Sequence, residues 1–88
     1  TMPVAWIPSL MQKLTEGQQQ IPVEGSTVRQ VVEALESLYP GFKDRIVEDD
    51  RIRTEIAVAV DGEVVTSGLR ARVGAESEVH FLPALAGG

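Results

Sequence analysis

Few residues of this chain could do chemistry by themselves. It has no cysteine and a single histidine, His80, so disulfides, thiol nucleophiles and a histidine metal cluster are excluded. His80 reads as an exposed strand side chain rather than a catalyst or ligand. The run Glu48-Asp49-Asp50 could hold a cation, but a solvated loop is its ordinary use. The distinctive chemistry lies at the end, Pro83-Ala84-Leu85-Ala86-Gly87-Gly88. Two final glycines arise by chance in about 0.5% of chains at ordinary glycine usage, and here they follow a core strand rather than a linker. An enzyme that activates a protein's own carboxylate must draw that end into a slot beside ATP. Glycine allows the close backbone approach such a slot needs. Five residues from Ala84 to Gly88 reach about 17 Å when extended, enough to enter a pocket while the globule stays outside. Pro83 and Leu85 would limit the tail's freedom at its root and reduce the ordering cost of binding. The reactive atom would be the carboxylate of Gly88.

Composition bounds the rest. The 88 residues suggest one domain, residues 2–88, with a flexible tail over 84–88; 43% apolar content suffices for one modest core. Thr1 ahead of Met2 reads as an expression scar. No run approaches the roughly 20 apolar residues of a bilayer span, and the start lacks a secretion signal, so a soluble, cytoplasmic protein is expected. The net charge of −5 disfavours nucleic acid and anionic membranes, which are bound by neutralising phosphates. It favours protein partners that carry basic surface.

The elements that must present the tail can be read from periodicity. Val4 to Ile7 is a first strand closed by Pro8, Gly17 lies in a polar turn, and Gln20 to Val23 is a second, edge strand. Val28, Val31, Val32, Leu35 and Leu38 form one stripe of a helix over 28–38. Thr27 followed by Gln30 is a capping box at its start, and Pro40-Gly41 stops it. Phe42 to Asp50 is mixed, with one short helical turn and Ile46 and Val47 inward. Glu55 to Val60 alternates as a strand, Asp61-Gly62 is a two-residue hairpin turn, and Glu63 to Val65 returns. Glu78 to Leu82 is the last strand. The predicted fold class is α+β: a mixed sheet with one main helix on one face, the first and last strands side by side in its middle. This is the ubiquitin-like β-grasp arrangement.

Alternation also predicts a second face. With Val79 and Phe81 turned to the helix, His80 and Leu82 point outward. With Ala5 and Ile7 inward, Trp6 is outward on the adjacent strand, and Ala57 and Ala59 join it from the central strand. Trp6, Ala57, Ala59, His80 and Leu82 would form an apolar partner-binding patch. A one-residue register shift would instead bury Trp6, because four consecutive apolar residues do not settle which face is which.

The ending Glu78-Val79-His80-Phe81-Leu82-Pro83-Ala84-Leu85-Ala86-Gly87-Gly88 and the hairpin Ile56-Ala57-Val58-Ala59-Val60-Asp61-Gly62 resemble the ThiS/MoaD sulfur carriers. The opening Val4 to Leu10 and the helix pattern fit as well, and the stretch Lys43 to Arg53 looks most like the CysO branch. The resemblance implies that the chain is not an enzyme but a substrate and sulfur donor. A ubiquitin-activating-type adenylyltransferase would form an acyl-adenylate on Gly88 using ATP and magnesium. Sulfur transfer would leave a thiocarboxylate for an acceptor enzyme such as a cysteine synthase. Pro83, Ala84, Leu85, Ala86 and Gly87 would be the tail recognised, and a processing metalloprotease is a further implied partner. No cofactor or metal would be held by the chain itself. Cysteine biosynthesis is the pathway expected. A molybdopterin synthase small subunit, a thiamine-pathway carrier, a modifier joined to lysines and a binding-only module remain alternatives.

Overall fold

The computed structural model describes residues 2–84; Thr1 and Leu85, Ala86, Gly87 and Gly88 lie outside the described residues. Helix α1 spans Val28–Leu38, the range given by the apolar stripe. Its first turn is capped twice. The Thr27 hydroxyl accepts from Gln30 N–H at 3.2 Å, while Gln30 Oε1 reaches back to Ser26 N–H at 2.7 Å, one residue earlier than in a standard box. At the other end, the Glu36 carboxylate accepts from the amides of Gly41 and Lys43. This holds a second, five-residue helix, α2 (Phe42–Ile46), against α1.

Five strands make one sheet beneath these helices. β1 is Val4–Trp6 and β2 is Gln20–Pro22. Two more, β3 (Val47–Glu48) and β4 (Arg51–Ile52), form a separate hairpin. The main sheet is completed by β5 (Ile56–Val60), β6 (Glu63–Val64) and β7 (Glu78–Pro83). Its order is β2-β1-β7-β5-β6. β1 and β7 run parallel and the other pairs antiparallel. The first and last strands are neighbours, with the last in the centre. This is the ubiquitin-like β-grasp fold.

The core lies between α1 and the inner face of the sheet. Val28, Val31, Val32 and Leu35 meet Ala5, Val58, Val79 and Phe81 there, all 0–2% exposed. Phe42 on α2 closes the far side and meets Phe81 edge to face, ring centroids 5.7 Å apart. Gly25 must be glycine: a Cβ there would come within 2.9 Å of Val31 N and 3.1 Å of Gln30 Cβ, so the turn into α1 has no room for a side chain.

Besides a short 3-10 turn at Gly68–Arg70 in the loop before β7, two elements were not foreseen. Ser9–Thr15 is a 3-10 turn, where the sequence suggested only a link to a polar turn. Met11 and Thr15 are buried by it, and the Thr15 hydroxyl sits between the carbonyls of Gln12 and Gln18. The stretch after α2 contains the β3–β4 hairpin. Asp49 and Asp50 form its turn, both in left-handed geometry, with φ of 54° and 61°. The acidic run is therefore a hairpin turn, and Asp50 forks onto Arg29.

Candidate functional site

The outer face of the sheet is set by the register of its strands. Trp6 lies opposite His80 on parallel β7, and Ala5 and Ile7 point into the core. Trp6 is therefore outward, and the shifted register is not the one adopted. Its ring stacks on His80 with centroids 5.1 Å apart and planes 5° from parallel. The indole N–H is enclosed and finds no acceptor among the described residues. His80 Nε2 lies 3.4 Å from Glu78 Oε1, two residues earlier on the same face.

β5 continues the row. Ala59 pairs with His80 and Ala57 with Leu82. Ala59 is buried yet stands outside the core cluster, as expected of a methyl on the outer face below taller neighbours. Val64 follows on β6, opposite Ala59 and 62% exposed, and Leu82 is 38% exposed. The five residues expected on this face are thus brought together, and Val64 is one the sequence reading missed. A signal for it existed: a two-residue turn at Asp61-Gly62 dictates the pairing of Ala59 with Val64. Both turn residues have the positive φ this requires, 52° and 89°.

Asp61 also anchors the start of β7. Its carboxylate accepts from Glu78 N–H at 2.9 Å and from the Ser77 hydroxyl at 2.7 Å. Its own N–H donates to Glu78 O. These bonds, the Glu78 amide first and then the Ser77 hydroxyl, hold its pKa below the ordinary value.

At the other end of β7 the chain leaves the sheet. Pro83 pairs with Ile56 and Ala84 N–H donates to Glu55 O at 2.8 Å. The two described residues of the expected tail are thus fixed along the entry to β5. Beside them runs a groove of about 660 Å³ lined by Pro8, Leu10, Met11, Ile56, Pro83 and Ala84, with Arg45 and Glu55 at its rim. Leu10 is 81% exposed. The Arg53 guanidinium, 2.9 Å from Glu55, keeps that carboxyl below its usual range. No sequence signal pointed to Leu10, because its placement depends on the unforeseen 3-10 turn. The remaining tail positions, Leu85 to Gly88, lie outside the described residues.

Among the described residues no group of three or more His, Asp or Glu side chains could hold a metal ion, and no helix is long and apolar enough to cross a membrane.

Known proteins share this fold. The sulfur carrier protein CysO of Mycobacterium tuberculosis is 29% identical over 87 residues, covering 93% of this chain and 94% of its own. The crystal structure of the Amycolatopsis orientalis BexX/CysO complex contains a chain of the same fold, with TM-score 0.91 and 32% identity over 98% of this chain and 99% of that one. The crystal structure of CysO from Mycobacterium tuberculosis superposes with TM-score 0.87 at 24% identity, covering 94% and 99%, which speaks for the fold alone. The ThiS family model matches residues 7–88, a span that takes in the Gly-Gly ending and every outer-face residue except Trp6, so this chain belongs to the ThiS family and is a sulfur carrier of the ThiS/CysO type.

Proposed function

We propose that this carrier moves sulfur on the carboxylate of Gly88, as a thiocarboxylate, and that its acceptor pathway is cysteine biosynthesis. The observation that carries the reading is the family match, which extends through Gly87 to Gly88. The fold supports it by fixing the root of the tail, where Ala84 N–H donates to Glu55 O. An adenylyltransferase of the ubiquitin-activating type joins the Gly88 carboxylate oxygen to the α-phosphorus of ATP and releases pyrophosphate, with magnesium held on the nucleotide. A sulfide or persulfide sulfur then attacks the acyl carbon. AMP leaves; sulfide gives the thiocarboxylate directly, and the acyl disulfide formed from a persulfide gives it once a thiol reductant cleaves the S–S bond and forms a disulfide with the donor's remaining sulfur. Its sulfur attacks an activated acceptor on a partner enzyme such as a cysteine synthase, and a metalloprotease would free the chain where the product stays attached. The chain supplies no acid, base or metal; it presents one activated atom.

The outer face would seat these partners. Its Trp6–His80 stack is a rigid aromatic anchor, with Leu82 and Val64 exposed around the small Ala57 and Ala59. The Amycolatopsis relative is known in complex with BexX, which supports a protein partner for this chain as well.

Intact mass tests the reading. Incubated with a ThiS-family activating enzyme, ATP and a sulfur source, the protein should gain the mass of one oxygen-to-sulfur exchange. Deletion of Gly88 should abolish the gain. An unchanged mass, with an enzyme that converts a CysO control in the same tube, would overturn the proposal.

A further inference from the structure

We infer that a basic pocket at the end of the molecule opposite the tail binds an acidic, extended segment of a second protein. β7 spans the sheet from Glu78 to Pro83. The tail leaves at its last residue, whereas the turn into α1 lies at its first: Val4 N–H bonds to Ser77 O, Val23 N–H to Pro3 O and Val73 N–H to Ser26 O. There a pocket of about 460 Å³ is lined by Ser26, Thr27, Gln30 and three arginines, Arg29, Arg70 and Arg72, over Leu69, with no carboxylate in its walls. In a chain of net charge −5 this is a concentration of the opposite sign.

The arginines are not equivalent. Arg29 is already forked onto Asp50. Arg70 and Arg72 are exposed and pair with no carboxylate among the described residues. They flank Ala71, which is buried with Leu69 and Val73, so this segment alternates and turns both guanidiniums to solvent. Backbone bonds from Val28 N–H to Ala71 O and from Val73 N–H to Ser26 O hold it against the turn into α1. Arg70 ends a short 3-10 turn, Gly68–Arg70, and Ala71 beyond it is extended (φ −58°, ψ 141°), so the two arginines stand about 6–7 Å apart along the chain. That matches alternate carboxylates of an extended peptide, and each guanidinium can take one carboxylate through paired N–H donors.

A small oxyanion fits less well. The α1 amides that would enclose it are taken: Val28 N–H by Ala71 O and Val31 N–H by Thr27 O, with Gln30 N–H held by the Thr27 hydroxyl. What remains is side-chain donors spread over an open surface. The inferred partner contact is therefore independent of the tail, and a second protein could hold the carrier while its C-terminus is engaged elsewhere.

The test is an NMR titration of the full-length protein with the peptide Ser-Glu-Ser-Glu-Ser-Glu, blocked at both ends, at low salt. Saturable shifts should be confined to amides 26–30 and 69–73 and to the arginine Nε–H signals of 70 and 72. The double substitution Arg70→Gln/Arg72→Gln should weaken binding about ten-fold while leaving the Trp6 and Phe81 signals in place. The Gln-for-Glu peptide should not bind, a control that needs no variant. Shifts distributed equally over Lys13, Arg45 and Arg51 would overturn the proposal. So would inorganic phosphate that saturates the same signals at lower concentration and displaces the peptide, which would make the pocket a small-anion site.

Discussion

Asp61 shows how much one side chain can fix. It shapes a hairpin turn with its left-handed φ and clamps the first residue of the strand that leads to the tail. Its lowered pKa arises from bonds that only the folded state makes. Such a carboxylate stabilises the fold fully above its unfolded value, ordinarily 3.8, and loses that contribution as the pH falls through the depressed folded value. Asp61→Asn keeps the shape and the tolerance of positive φ but removes the charge. Its urea midpoint should lie below that of the wild type at pH 7. The gap should close as both are taken below the depressed folded value, where the wild-type carboxyl is also neutral. A gap that persists unchanged into strong acid would mean that the charge contributes nothing.

β7 is the element on which the molecule depends. It pairs with β1 and β5, places Val79 and Phe81 in the core and His80 and Leu82 on the outer face. Its last residue, Pro83, leads into Ala84, which bonds to Glu55 O. Phe81 is 1% exposed and meets Phe42 across the core, so Phe81→Ala should cost about 3–5 kcal/mol in denaturant unfolding, a large part of a small domain's stability. α1 owes its ends to local bonds and its position to the same core, which is why its range could be read from sequence. The 3-10 turn over Ser9–Thr15 could not be read in that way. Seven residues hold too few turns for a periodic stripe, and Leu10 points to solvent where the pattern would put an apolar residue inward. The β3–β4 hairpin has only two residues in each strand, too short for alternation to show, and its Asp49-Asp50 turn lacks the glycine that marks Asp61-Gly62.

At the scale of the whole molecule, one sheet divides the work between two faces. The inner face builds the core, and the outer face is the one proposed to seat partners, so a change there should alter recognition without unfolding the protein. Leu82→Asp or Val64→Asp should raise the KM of the activating enzyme for this carrier about ten-fold or more. The kcat should hold, because the reacting end is untouched, and the urea midpoint should stay close to the wild type; loss of kcat at unchanged KM would remove the patch from recognition. The sequence by itself determined the elements whose signals are local: the α1 stripe with its capping residues, the Asp61-Gly62 turn and the alternation of β5 and β7. It also contained the Gly-Gly ending. Tertiary structure alone decided the facing of Trp6, since four consecutive apolar residues fit either register until Ala5 is packed into the core beside Val79. It alone gathered Arg29, Arg70 and Arg72, some forty residues apart in the chain, around one pocket. Contacts of that kind depend on chain segments that meet only when the core closes, and no local pattern encodes the meeting.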